Sequence, residues 1–459
     1  MFQLTTRSLV KRPGRFVAGF LAVFFGAAMV MAFGSLLDTA GEPGVPDQSK
    51  ETLETMAFVV GGWGLALVVF AVVSTMSLTV RQRSREMALL KSIGATPTQV
   101  RRLVVGETVV LAALAAVAAI VPAMGLGQLL FEALKETGQV DEGVSHAFGP
   151  VAITMGMANA MVAAVIGALI TARRATAMRA VEAMADASGA GGEEPLMGRT
   201  RWVLTLLALL ATAGSGTAVL TVLDGEGPDV MTGAGPAVVA ASVTMALLAP
   251  VLLRGVTVAL GWALRLLGGV PGELAARNVR QRTGELARAV APVALFTGTA
   301  AGTLSMQRVE NLQLRAEGLV ADESSQTMET MNYVVVGIIV AFCCIMLVNT
   351  LVSATSFRRR EFGQQRLAGA TPRQVFWTVA LEALLVAATG IVAGLVAAGV
   401  GLMPFGQARA DAWVPDDGWV WVIQGAVVVV AFLVTLVASV GTARRVVRRS
   451  SAVEAALAA

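Results

Sequence analysis

Apolar residues in this chain are gathered into long runs of about 20 residues with almost no charge, and the runs are separated by short polar stretches rich in Arg, Asp, Gly and Pro. A run of that length crosses roughly 30 Å of hydrocarbon as a helix. The runs are continuous and rich in Ala, Leu, Val and Gly. A transmembrane barrel would instead show short alternating segments. Ten spans are predicted, near 16–37, 56–80, 106–131, 150–172, 202–223, 233–253, 289–306, 331–357, 377–402 and 418–441. The first follows Arg7, Lys11, Arg12 and Arg15 as a signal peptide would. Its apolar run is longer than a usual signal core, so it is read as an uncleaved anchor. Between 249 and 288, Pro250 interrupts the sixth span, and Val256–Leu267 with Arg254 and Arg265 reads as an amphipathic continuation along the inner surface.

Charge placement orients this map. With the N-terminus inside, 30 of the 35 Lys and Arg residues fall in cytoplasmic segments, and only Lys50, Lys135, Arg308, Arg315 and Arg409 fall outside. Asp38, Glu42, Asp224, Asp322, Asp416 and Asp417 lean outward. This is a positive-inside pattern, with both termini cytoplasmic in a bacterial inner membrane. It also accounts for a sequence pI near 9.6 without nucleic acid, because the cations face anionic lipid and cytoplasmic partners. Only 14% of residues are charged, against about a quarter in soluble domains.

Chemistry is sparse. One histidine, His146, and the adjacent Cys343 and Cys344 do not make an ordinary zinc site, and no GxxxxGK[ST] loop occurs. No catalytic constellation, metal site or cofactor is expected in the chain itself. Few ionisable residues fall at the centre of a span, which weighs against a proton- or sodium-coupled transporter.

The strongest signal is a duplication. Residues 85–107 (REMALLKSIGATPTQV, ending at Glu107) match 360–382 (REFGQQRLAGATPRQV, ending at Glu382) without gaps at an offset of 275, with ten of 23 positions identical. Arg7-Ser8-Leu9 resembles Arg277-Asn278-Val279 before each half, and Ala180-Val181-Glu182-Ala183 resembles Ala452-Val453-Glu454-Ala455 after it. The predicted fold is therefore an all-α membrane protein of about ten transmembrane helices, arranged as two parallel four-helix repeats. The first unit covers 1–185, with an inner segment at 81–105. A linker with two connecting helices covers 186–270. The second unit covers 271–459, with its inner segment at 358–376.

Each copy reads as helix, sharp stop, new helix. Gly94 and Gly369 suit the position past a helix end, where φ is often positive. Thr96-Pro97-x-Gln99 and Thr371-Pro372-x-Gln374 are capping boxes with proline at the first helical position. One reading is a cytoplasmic loop with good turn chemistry. The other is a rigid handle for a cytoplasmic partner, with Met87, Leu90, Phe362 and Ala95 or Ala370 exposed to enter a groove, and Lys91 and Arg366 at its rim. Glu107 and Glu382 stand where the third and ninth spans enter the membrane. Each is expected to pair with a basic residue, such as Arg102 for Glu107, and so fix an elbow. A plain interfacial carboxylate is the alternative.

The motif E-[MF]-x-x-x-[KR]-x-x-G-A-T-P-x-Q-V after the second span of a four-span unit resembles the FtsX-like permeases, the membrane subunits of MacB-type (type VII) ABC transporters. The duplicated ten-span layout is most similar to the BceB-like members. The resemblance implies that Glu86, Met87, Leu90, Lys91, Gly94, Ala95, Thr96 and Pro97, with Glu361, Phe362, Gln365, Arg366, Gly369, Ala370, Thr371 and Pro372, form coupling segments. These would sit on a homodimeric cytoplasmic ATPase, encoded separately, which binds ATP and Mg. It implies export or extraction of a hydrophobic, lipid-like, peptide or drug substrate. A non-transporting regulator of a cell-wall hydrolase or sensor kinase is the second expectation. One departure is that the relatives' large ectodomain has no counterpart here: the loops at 38–55 and 307–330 hold about 18 and 24 residues, too few for a core of their own.

Overall fold

The computed structural model describes residues 17–60, 69, 94–136, 138–177, 197–225, 230–317, 323–356 and 358–449. Among them every regular element is helical: α1 (Val17–Ala40), α2 (Asp47–Thr55), a π-helical turn (Met56–Val60), α3 (Pro97–Glu136), α4 (Pro150–Ala177), α5 (Arg199–Thr221), α6 (Val230–Gln281), α7 (Thr283–Ala316), α8 (Glu323–Ser356), α9 (Arg359–Leu367), α10 (Pro372–Ala410) and α11 (Gly418–Arg449). Eight of these are long and apolar enough to cross a membrane. They coincide with eight of the ten expected spans. The expected span at 331–357 falls in α8, with Val340–Val352 as its apolar stretch. The expected span at 56–80, with its Gly61, Gly62 and Gly64, lies almost wholly outside the described residues. Helices α3 and α10, at 40 and 39 residues, exceed the expected spans. At 1.5 Å per residue each is about 60 Å long, so about half of each lies outside hydrocarbon.

The chain divides into two compact units. In the first, α1 packs between α3 and α4. Glycines set the approach: a Cβ on Gly34 would stand 3.0 Å from Cα of Ala152, and one on Gly156 would strike the Met31 side chain. The Asp38 carboxylate, near the C-terminal end of α1, accepts from the backbone N–H groups of Val151 (3.0 Å) and Ala152 (2.7 Å), so α1 caps α4. The loop before α4 is tied down beside this cap. His146 Nε2 meets Ser35 Oγ at 3.0 Å, and the Ala147 N–H donates to Thr39 Oγ1 at 3.1 Å. Burial holds the His146 imidazole below its ordinary pKa, with Glu132 and Asp38 pulling the other way.

In the second unit α7 is the central helix, buried on all sides by α6, α10 and α11. Small residues permit this. A Cβ on Gly390 would come within 2.5 Å of Val293 Cβ, and one on Gly394 within 2.5 Å of Thr297 Cβ. Gly298 lies against Ser242 and Gly401 against Val238. The small-xxx-small pair Gly390 and Gly394 is thus a packing device. The other end of this bundle is closed by an apolar cluster of Val219, Val230, Ala234, Val238, Met306, Val309, Leu402, Phe405 and Val420. Next to it the buried Arg409 pairs with the buried Glu310 at 3.0 Å and with Glu317, and Arg308 pairs with Asp417 at 2.6 Å.

Helix α6 continues past Pro250 instead of ending there. Proline lacks the N–H that would pair with the carbonyl of Ala246. The Arg201 guanidinium of α5 supplies donors at this point, to the carbonyls of Leu247 (2.6 Å) and Ala246 (3.3 Å). The real break is at Gly269, whose φ of 55° and ψ of −137° fall where only glycine is comfortable.

Candidate functional site

Both copies of the repeated turn share one backbone design. Gly94 has φ of 98° and Gly369 has φ of 95°. In the first copy the Gln99 N–H donates to Thr96 Oγ1 (3.3 Å) and the Thr96 N–H donates to Gln99 Oε1 (2.9 Å). In the second the Gln374 N–H donates to Thr371 Oγ1 (3.2 Å) and the Thr371 N–H to Gln374 Oε1 (2.9 Å). The reciprocal bonds satisfy donors that a helix start leaves orphaned, so α3 and α10 begin at a fixed residue and angle.

Around the second copy the backbone is described from Arg358 onward. Helix α9 has only nine residues, too few to be stable alone. It is held by Phe362, which is 1% exposed and packs with Val375, Val379 and Ala443, beside Ala370, Val446 and Val447. The expectation that Phe362 is exposed for a partner is therefore corrected. A helix this short needs an apolar anchor toward its own protein, and Phe362 is that anchor. The apolar residue left outside is Leu367, 57% exposed, which the sequence reading passed over. With Ala368, Gly369, Thr371, Pro372 and Arg373 it forms the exposed turn. Gln365 and Ala370 are half-buried, and so is Arg366, which donates to the carbonyl of Val447 at 3.3 Å.

Beneath the turn is a clasp of charges. Arg358, just before α9, grips Glu361 with two hydrogen bonds of 2.9 Å and also pairs with Glu382. Arg282, between α6 and α7, pairs with the same Glu361. Asn278 of α6 donates to Glu382 Oε1 at 2.7 Å. Arg358 also lies over the Phe362 ring, 5.4 Å from its centroid. Glu382 is 1% exposed, so its charge depends on these partners. For Glu361 burial pushes the carboxyl up, but the hydrogen bonds and charges of Arg358 and Arg282 prevail and hold it below the usual range. One network thus fastens α9 to α6, α7 and α10. The expected partner for Glu382, a basic residue at the elbow, is Arg358. Arg282 and Asn278 were not anticipated, because they lie 79 and 104 residues from their partners.

In the first copy Gly94, Thr96, Thr98 and Gln99 are exposed, while half-buried Ala95 packs on Val100, Val104 and Ala168. Glu107 is buried at 4%, as Glu382 is. Arg102 is exposed and five residues earlier on the same helix, about 140° around it, so it is placed away from Glu107. Glu86, Met87, Leu90 and Lys91 lie outside the described residues.

The sequence profile described as FtsX-like permease C-terminal matches residues 58–180 and 333–450, just over half of the chain. The two segments begin 275 residues apart, the offset of the repeated motif. The chain belongs to the FtsX-like permease family. Curated proteins provide no match. FtsX-like permeases are part of the ABC transporter permease superfamily and are typically paired with a cytoplasmic ATPase. Each matched segment contains one copy of the turn, followed by a buried glutamate, Glu107 or Glu382. With its eight candidate spans, this permease is a multi-pass membrane protein.

Proposed function

We propose that this permease is the membrane subunit of a MacB-type ABC transporter, and that the turns around Gly94 and Gly369 are its contacts with a separate homodimeric ATPase. The observation that carries the reading is the second turn, exposed at its tip and clasped underneath. Leu367–Arg373 presents one apolar residue, two small residues and a cation on a fixed support. A support of this kind transmits displacement from a partner into α6, α7 and α10 instead of absorbing it. The chain holds no P-loop motif, so ATP and Mg belong to the partner. Two turns in one chain match the two subunits of a homodimer, giving one permease for each ATPase pair. The positive-inside distribution puts both turns and both termini in the cytoplasm of a bacterial inner membrane, with ten spans in two parallel repeats. The lipid-exposed apolar faces and short outer loops favour a hydrophobic or amphipathic cargo, moved by ATP-driven rearrangement.

The test is the composition of the complex purified through a tag on this chain under mild detergent with nucleotide. One permease with two copies of a P-loop protein supports the reading, and replacing Gly94 and Gly369 by Trp then releases that protein. Recovery of the chain alone contradicts it. Recovery with a hydrolase or kinase, and no stimulated transport, assigns the permease to regulation.

A further inference from the structure

The break in α6 brings three arginines of two helical arms to one place. At Gly269 the chain leaves the helix, and the second arm turns back over the end of the first. A side chain on Gly272 would collide with the carbonyl of Leu264. Arg280, on the second arm, extends to Gly261 on the first: its Nη2 is 3.7 Å from where a Cβ of Gly261 would stand. Arg254, Gly261 and Arg265 share one face of the first arm at i, i+7 and i+11. Arg265 Nε lies 2.9 Å and Arg277 Nε 2.6 Å from the two oxygens of Glu273. The hydrogen bond from Arg277 holds Glu273 below the usual carboxylate range. Burial works against this, and the charges of Arg265, Arg277 and Arg280 add to it. Three guanidinium groups therefore surround one carboxylate, and the side chains of Arg265 and Arg277 remain 45% and 68% exposed. The local excess is two positive charges.

Apolar side chains flank the cations. Trp262, Leu266 and Val270 are 65%, 73% and 64% exposed. The depth is set by α10: Gly268 lies against Leu381, next to Glu382, where α10 enters its apolar stretch. The surface thus combines a Trp of interfacial type, exposed aliphatics and an unbalanced guanidinium cluster at the edge of the membrane.

We infer that the bend at Gly269 is a headgroup site for an acidic phospholipid of the inner leaflet, with Arg265, Arg277 and Arg280 around the phosphate and Trp262, Leu266 and Val270 against the glycerol and upper acyl region. Guanidinium groups bind phosphate oxygens in forked geometry, and the contacts of Arg265 and Arg277 to Glu273 run through Nε. An acidic lipid adds a net charge that a zwitterionic one lacks, and the excess of two positive charges selects for it. The assignment to the inner leaflet rests on the orientation proposed above. Binding itself is measured on the permease without any ATPase, so loss of the ABC reading leaves this result standing.

The experiment is native mass spectrometry and lipid exchange on the full chain in nanodiscs of phosphatidylcholine alone or mixed in equal parts with phosphatidylglycerol. The wild-type chain is expected to retain phosphatidylglycerol after detergent stripping. Arg280→Gln, which leaves both Glu273 ion pairs in place, should weaken retention roughly fivefold, and Arg265→Gln with Arg280→Gln by about that factor again. Arg444→Gln with Arg445→Gln, exposed cations on α11, should leave it unchanged. Equal retention of both lipids by the wild-type chain overturns the inference. So does undiminished phosphatidylglycerol retention in the Arg280→Gln variant, or an equal loss in the α11 variant.

Discussion

The two copies of the repeated turn are alike where local chemistry decides, and around the second the rest of the fold adds an anchor. Both have a left-handed glycine, a Thr–Gln capping box and a buried glutamate near the start of the following helix. Ahead of the box their sequences differ, with Met87 against Phe362 and Leu90 against Gln365. In the second copy a phenylalanine and a three-carboxylate-oxygen grip by Arg358 pin the short helix α9. In the first, Ala95 and Val105 pack on Val100, Val104 and Ala168, and the residues that correspond to α9 lie outside the described residues. The shared part defines the shape of a contact, and Phe362 with Arg358 defines how firmly the second contact is anchored in its own unit.

Breaking the anchor should have the largest effect. Arg358→Ala leaves the buried Glu382 without its cation, and should cost about 3–5 kcal/mol in the second unit. Thermal unfolding in detergent will read it as a marked loss, whereas Arg102→Ala in the first copy should change little. Phe362→Ala should cost a similar amount, about 3–5 kcal/mol, by opening a cavity under α9. Leu367→Ala should leave stability within about 0.5 kcal/mol, as exposed positions do, while weakening the ATPase complex. A Phe362 variant as stable as the Leu367 variant would remove the distinction between anchor and handle.

Smaller effects should be equal in the two copies. Gly94→Val and Gly369→Val force a β-branched residue to positive φ, and each should cost about 1–2 kcal/mol. Gln99→Ala and Gln374→Ala remove half of a capping box, and each should cost about 1 kcal/mol or less, visible as faster amide exchange in the first turn of α3 or α10. Unequal losses would mean that the turns do not share a role. The smallest effect is in acid. Glu361 has its carboxyl lowered in the folded state, so the clasp stabilises fully above the ordinary carboxylate pKa. That contribution falls away as pH drops through the lowered value. Between neutral pH and pH 5 the melting temperature should not respond to Glu361→Gln in a pH-dependent way, and the difference from wild type should shrink only below the carboxylate range.

Much of this was legible in the sequence because it is local. Apolar runs of 20 residues, a Gly before Thr-Pro-x-Gln, and an offset kept over 23 positions need no knowledge of the fold. The clasp was not legible. Asn278, Arg282, Arg358 and Glu382 are brought together by three helices, and nothing in their spacing marks them from the many other arginines near span ends. Phe362 was misread for a related reason. In a motif bound for the membrane surface an aromatic residue reads equally as handle or anchor, and only the neighbouring α10 and α11 decide. The break in α6 was placed at Pro250, since proline is the stronger signal, but Arg201 compensates it and Gly269 makes the turn.

The most direct test of the central claim is site-specific photocrosslinking in native membranes, from residue 367 and from residue 362 in separate chains. The account predicts an adduct between position 367 and a P-loop ATPase, lost when Gly369 is replaced by Val, and none from position 362. An adduct to the ATPase from neither position, or equally from both, would contradict a clasped and outward-facing coupling turn.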